Sequence, residues 1–276
     1  FLVENKLNYI GKTKSNQFAF NSYLRYQSQP QEVCFSDGDS LMQNQQRDEK
    51  RFYTTNDIQM AYYSGPSELS LTAGFKLETN RIRSSMNEVP EFLKDSVTSS
   101  QWNYLEAGVF VRPSYVFKGK GYNINLAVPL IWQKTDAGKQ GSDKQSFHHF
   151  VWTPSLCFYW KFHHFWEFMA TGSYKHSPTS YMNLNDTYYY KNRNLLKRGI
   201  DGLGMDKQTQ GSLNLYYRNP FHAFWSRLNM TYTQNKSDLI SGYDFIGTQP
   251  IYTWQMANRS YKQFNVRGNV GKIVDA

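Results

Sequence analysis

The chain has 276 residues, enough for one large β-domain or two small ones. Its 31 Lys and Arg against 22 Asp and Glu give a formal net charge of +9, but they are scattered, with no dense basic cluster or RNA-binding motif, which excludes a nucleic-acid binder. Mean hydropathy is −0.68, and no window approaches the roughly 20 consecutive apolar residues of a transmembrane helix, so a helical membrane protein is excluded; a β-barrel, apolar only at every second strand position, is not.

In chain order, a first strand over Glu4–Gly11 leads to a short turn at Thr13–Asn16, and a polar connection fills roughly 29–50. A turn at Ser64-Gly65-Pro66-Ser67 precedes the clearest pattern in the chain. From 68 to 78, Leu69, Leu71, Ala73, Phe75 and Leu77 alternate without a break with Glu68, Ser70, Thr72, Gly74, Lys76 and Glu78. A two-residue period places one set on each face of a strand. A polar stretch at 79–100 follows. Next come Leu105, Ala107, Val109, Val111, Pro113, Tyr115 and Phe117, alternating with polar or small residues apart from Phe110 and Val116.

Past a turn at Lys118-Gly119-Lys120-Gly121, the period returns at Tyr122, Ile124, Leu126, Val128, Leu130 and Trp132. It returns again, after a connection at 134–147, at Phe150, Trp152, Pro154, Leu156, Phe158 and Trp160. Ile131 and Tyr159 interrupt the otherwise polar face. A turn surrounds His163-His164, a long connection covers 176–209, and a turn at Arg218-Asn219-Pro220 introduces Phe224, Leu228, Met230 and Tyr232. A final polar connection spans 235–260. The count is about eleven strands of ten to fifteen residues.

Short and long connections alternate, as they do where tight periplasmic turns face long extracellular loops. Aromatics make up 17% of the chain and cluster beside the short turns, as an interfacial belt requires. The expectation is an all-β, antiparallel transmembrane β-barrel over 1–276, with Leu71, Val109, Leu126, Trp152 and Leu228 facing lipid and Thr72, Asn125, Thr153 and Asn229 facing the lumen. The chain starts at Phe1 with no leader and carries the pattern to both ends, so it reads as a section of a longer polypeptide, the more so because bacterial barrels have an even strand number.

Chemistry-bearing groups are sparse. Adjacent histidines in a strand point to opposite faces, so neither His148-His149 nor His163-His164 is expected to chelate one metal ion. Asp37, Asp39, Asp186, Asp201 and Asp206 fall in connections without the full ligand run of a calcium loop. Cys34 and Cys157 form no metal spacing or disulfide framework. Ser155 lies in no nucleophile elbow. No catalytic residue, metal or cofactor is expected, and the chain does not read as an enzyme. The best ligand candidates are Tyr188, Tyr189, Tyr190, Arg193 and Arg198, whose rings and guanidinium groups suit sugars, peptides or lipopolysaccharide phosphates; the alternative is a solvated loop packing on its neighbours.

The run from Gly211 through Leu213-Asn214-Leu215-Tyr216-Tyr217-Arg218-Asn219-Pro220 to Phe224-Trp225 resembles a hairpin of the TonB-dependent receptor barrels of Bacteroidota, where a strand ending in Tyr passes through an Asn/Asp-Pro turn into an apolar strand. Phe264–Lys272 is similar to the strand that follows in such receptors, and Glu4–Gly11 fits the same style. The resemblance implies a 22-stranded barrel in the outer membrane, of which this chain supplies about half. It further implies an N-terminal plug domain, not visible in this sequence, coupling through TonB to the inner-membrane proton gradient. Outer-membrane lipid and lipopolysaccharide, a small nutrient ligand and a surface lipoprotein are the partners it suggests. The competing readings are a passive porin or structural barrel, and a soluble β-rich module with a carbohydrate-binding aromatic platform.

Overall fold

Alternating side chains can bury one face only if neighbouring strands keep register, and here they do over very long ladders. A computed structural model describes residues 1–35, 43–86, 99–141, 144–178, 188–192, 195–200, 204–247 and 249–272. Its strands are β1 (Leu2–Lys12), β2 (Asn16–Phe35), β3 (Gln43–Ser64), β4 (Ser67–Met86), β5 (Ser99–Lys118), β6 (Tyr122–Ala127), β7 (Leu130–Lys139) and β8 (Gln145–Trp152). They continue with β9 (Ser155–His163), β10 (Trp166–Pro178), β11 (Tyr188–Asn192), β12 (Leu195–Arg198), β13 (Met205–Asn219), β14 (Phe224–Ile246) and β15 (Gln249–Lys272).

All belong to one sheet, an antiparallel meander of long staves to which the short β11–β12 hairpin is joined by pairing of β12 with β15. β6 and β7 form a single stave interrupted at Val128-Pro129, and β8 and β9 another interrupted at Thr153-Pro154. Counting each of these pairs once, and setting aside the short β11–β12 hairpin, leaves eleven staves among the described residues. The interruptions have a chemical cause. Val128 N–H donates to Pro113 O, Thr153 N–H to Pro129 O and Tyr174 N–H to Pro154 O, each at 3.0 Å. A proline cannot return the second bond of such a pair, so each crossing keeps one bond of two. The three prolines step across neighbouring staves as a diagonal seam.

The facing follows the alternation. On β4 every odd position from Leu69 to Phe75 is exposed on the convex side, while Ser70, Asn80, Ile82, Ser84 and Met86 are buried on the concave one. In register, Phe75 lies opposite Val109 and Val109 opposite Trp132, continuing an apolar outer band. Val109 is 59% exposed, whereas its neighbour Phe110, pointing inward, is 2% exposed beneath the Arg112 guanidinium, 4.0 Å from the ring centre. That stacking accommodates a bulky aromatic among the polar and small residues of this part of β5.

The tight turns lie where expected. Gly65 adopts φ +55° between β3 and β4, and Gly121 φ +82° between β5 and β6. Between β13 and β14, the Asn219 side chain accepts from the backbone N–H of Phe221 (3.0 Å) and His222 (3.3 Å), capping a 3-10 turn over Pro220–His222; Ala223 then closes it at φ +46°. This end is the lower rim.

The upper rim departs from the sequence expectation. The strands run on into the stretches read as polar connections. β2 reaches Phe35, β3 starts at Gln43, β4 extends to Met86 and β7 to Lys139. The segment 235–260 is mostly strand, β14 and β15 being 23 and 24 residues long and meeting at a turn through Gly247. A span of about 9–11 residues is enough to cross a bilayer, and β14 and β15 are about twice that long. Along these extensions hydrogen bonding persists, but polar residues stand on both faces among a few buried apolar ones, so the alternation that betrays a strand is lost.

Candidate functional site

The concave face carries a cross-strand polar network. Asn8 Nδ2 donates to Asn21 Oδ1 and Asn21 Nδ2 to Asp57 Oδ1, both at 2.8 Å, linking three adjacent staves. Lys76 pairs with Glu106, whose second oxygen accepts from the Tyr104 hydroxyl at 2.6 Å. Arg51 pairs with Glu78 at 3.0 Å, and Glu78 also accepts from Asn80 at 2.8 Å. Toward the other flank, Ser70 meets Ser114, Thr171 meets Ser212, and Asn229 donates to Asn214 at 2.7 Å. Cross-linked polar groups of this kind line an aqueous or plugged lumen rather than a hydrocarbon core.

Above the network the concave face turns apolar, and strands distant in sequence meet there. Ile82, Trp102, Tyr104 and Ala137 from β4, β5 and β7 pack against Ile200 and Leu239, with Trp254 alongside. Met86, Tyr190, Leu196 and Ile251 form a second cluster. The β11–β12 hairpin is the keystone. β12 pairs parallel with β15 through Leu196–Ile251 to Arg198–Thr253, and Tyr190 N–H donates to Gln45 Oε1 of β3 at 2.6 Å. The early and late staves therefore curl toward each other at the upper rim.

The ligand candidates from the sequence separate on this hairpin. Tyr190 is buried in the second cluster and is a packing residue, which corrects its assignment as a contact. Tyr188 leans on the same cluster, and its hydroxyl accepts from Arg198 at 3.4 Å, the guanidinium lying 5.2 Å from the ring centre. Tyr189 points the other way, with Arg47 5.5 Å and Lys197 5.8 Å from its ring centre. Arg193 lies outside the described residues. Arg47 was missed because it sits in a polar run read as loop, and it reaches Tyr189 only through the fold. Arg47 also borders a cavity of about 860 Å³ at the upper ends of β2 to β5 and β7, lined among others by Arg83 and Lys139 with Glu32 and Asp48 as the acidic members.

The other candidates are dispersed. His148 and His149 take opposite faces as expected, with His149 stacked on Phe147 at 6.1 Å. His163 and His164 sit at the end of β9 where its turn begins, the position expected for them, and their rings touch edge-on at 5.6 Å. Among the described residues no cluster of three His, Cys, Asp or Glu surrounds either pair. Asp206 accepts from Ser237 at 2.5 Å, while Asp37, Asp39, Asp186 and Asp201 lie outside the described residues. Cys157 is a free, half-buried thiol on the concave face.

No protein-family model and no curated protein matches the sequence. Solved structures do match the fold. The copper transporter OprC superposes with a TM-score of 0.66 at 10% identity, over 97% of this chain and 43% of that one. The ferric yersiniabactin uptake receptor FyuA from Yersinia pestis gives 0.57 at 10% identity, over 98% and 43%. The ferric citrate transporter FecA, unliganded, gives 0.50 at 8% identity, over 96% and 43%. The chain thus spans less than half the length of each, and its fold is that of a section of the barrel wall of TonB-dependent outer-membrane receptors.

Proposed function

We propose that this chain is a section of the barrel of a TonB-dependent receptor in the outer membrane of a Gram-negative bacterium, taking part in uptake of a small, polar nutrient. The observation that carries the reading is a single sheet with a continuous apolar outer band and a hydrogen-bonded polar inner face, superposing over nearly its whole length on fewer than half the residues of such receptors. The open edges agree with it. Among the described residues, β1 and the lower half of β15 have no partner on their outer side, and both are exposed there. Unpaired backbone groups cost several kcal/mol each in lipid (roughly, by transfer of a peptide group), so in a bilayer further strands must meet both edges. A plug before this section, contact with TonB, a surface lipoprotein partner and an origin in Bacteroidota belong to the same proposal. The upper-rim cavity with Arg47, Arg83 and Lys139 beside Tyr189 suits a ligand bearing acidic or hydroxyl groups.

The test is conductance. The full protein, assembled in a planar bilayer, should show no steady ion current, and deletion of its plug should open a large one. A steady current from the intact protein would instead identify a passive porin, and recovery in the aqueous fraction without detergent would identify a soluble module.

A further inference from the structure

The lower end of the concave wall carries a cluster of cations and rings far from the upper-rim cavity. On β13, Asn214, Tyr216 and Arg218 alternate with the outward Leu213, Leu215 and Tyr217. On β14, Trp225, Arg227 and Asn229 alternate with the outward Phe224, Leu228 and Met230 in the same way. Register sets Arg218 opposite Trp225 and Tyr216 opposite Arg227, so guanidinium groups and rings alternate around a square. All four border a cavity of about 480 Å³ that reaches down to Asn219 and Pro220 of the lower turn. Two contacts fix the square. The Trp225 indole lies across β15 on Gly271, where an added Cβ would come within 2.5 Å of the ring, so only glycine admits it this close. The indole is still 37% exposed. Arg227 donates to Asn214 Oδ1 at 3.2 Å, which draws one arm of its fork toward β13.

The charge balance here differs from that of the network on β3 to β5. There Lys76 pairs with Glu106 and Arg51 with Glu78. In the lower corner Arg218 and Arg227 are diagonal neighbours across the β13–β14 joint, and Arg227 and Arg267 are diagonal neighbours across the β14–β15 joint. All three are exposed, and none has an ion-pair partner among the described residues. The carboxylate in register with Tyr216, that of Glu167, lies 3.9 Å from Lys161. Diagonal neighbours stand about 7–8 Å apart, within reach of one another's long side chains. Two forks can therefore close on one small anion, which also relieves the repulsion among three like charges.

We infer that this corner of the lumen binds an aromatic carboxylate, its ring against Trp225 and Tyr216 and its carboxylate oxygens in the forks of Arg218 and Arg227. Binding is non-covalent. The planar guanidinium forks match a planar oxyanion, and the two rings favour an aromatic body over an aliphatic one. Arg267 adds attraction from the next stave. The inference rests on the transport reading and deepens it: the nutrient acquires a chemical class, and its path acquires a station at the lower mouth.

The experiment titrates the full protein, extracted in detergent from membranes, with isophthalate and reads binding by isothermal titration calorimetry. The expected result is saturable binding that Arg218→Gln and Arg227→Gln each weaken about tenfold, the loss of one charge-assisted hydrogen-bonding partner. Trp225→Leu should weaken it about threefold or more, the loss of a stacked ring. Isophthalamide, of the same shape but uncharged, should bind at least about tenfold more weakly. Glutarate, with two carboxylates and no ring, should also bind more weakly. Equal binding of isophthalate and isophthalamide, equal binding of isophthalate and glutarate, or no effect of either arginine variant would overturn the proposal. Loss of binding in Arg47→Gln with both lower variants unaffected would put the anion in the upper-rim cavity and overturn it too. So would binding that appears only after deletion of the plug, because the arginines would then serve the protein's own carboxylates. Heat-modifiable migration establishes that each variant is folded. A protein absent from membranes fails the earlier reading, whereas a membrane-embedded protein that does not take up isophthalate at this corner fails this one alone.

Discussion

Arginine on the outer face provides a ruler for the membrane, and β4 sets its scale. Twelve residues separate Gly65, at the lower turn, from Leu77, level with Lys134 through Ala107. At about 3.3 Å per residue and a tilt of about 40°, that distance projects to about 30 Å along the membrane normal, the thickness of a hydrocarbon core. Leu71 lies midway and is 47% exposed on the convex side. Leu71→Arg should therefore cost roughly 2–4 kcal/mol, and Leu77→Arg on the same face of the same strand only about 0–1 kcal/mol, because its guanidinium reaches the headgroups. Asn125→Arg, on the concave side, should cost about as little as Leu77→Arg, since its charge stays in a polar lumen. The assay is urea unfolding of the complete protein assembled in phospholipid vesicles, with stabilities extrapolated linearly to water. Equal costs at 71 and 77 would remove the depth assignment. A cost at Asn125 matching that at Leu71 would be worse, since it would mean both faces are apolar and there is no lumen.

The lower turn between β13 and β14 makes two opposite forecasts: Asn219→Ala should lose about 0.5–2 kcal/mol with its cap, whereas Ala223→Gly should gain about 0.4–1 kcal/mol by relieving φ +46°; the same vesicle unfolding measures both. A Cβ at Gly74 would come within 2.3 Å of the Asn56 carbonyl oxygen and 2.7 Å of Asp57 Cβ. Gly74→Ala should therefore destabilise by roughly 1–3 kcal/mol, and loss of heat-modifiable protein is the simplest readout; unchanged assembly would mean that the β3–β4 spacing is wrong. Tyr190→Ala should cost about 3–5 kcal/mol as a buried aromatic truncation, while Tyr189→Ala should leave unfolding nearly unchanged and act, if anywhere, on uptake of the ligand. On intact cells, a single cysteine at Gln140 should react with an impermeant maleimide and one at Gly119 should not; the reverse pattern would invert the topology.

These variants also mark where the sequence could be read and where it could not. Residues 68–78 disclosed both faces of β4, because lipid on one side and water on the other impose opposite demands at successive positions. Residues 235–246 of β14 disclosed nothing of the kind. There Asn235, Lys236 and Ser241 suit either face equally, so the strand looks like a loop. The site suffered from a different limit. The run Tyr188-Tyr189-Tyr190 presents three identical rings, and only the parallel pairing of β12 with β15, established through residues more than 50 positions away, decides that the third is buried and the second is not. Composition pointed to the correct hairpin but could not sort the residues within it.

The diagonal of Pro113, Pro129 and Pro154 has a mechanical consequence. A wall of paired strands resists shear through its rungs, and here three consecutive joints each hold by one rung in place of two. Pulled from one rim by an atomic-force tip, such a wall should not peel hairpin by hairpin at uniform force. It should yield first along this line, as paper tears along a perforation, with a low-force step at the joint between β5 and β6. Replacing Pro113 with valine should restore one rung and raise that step, leaving the forces for β2 to β4 as they were.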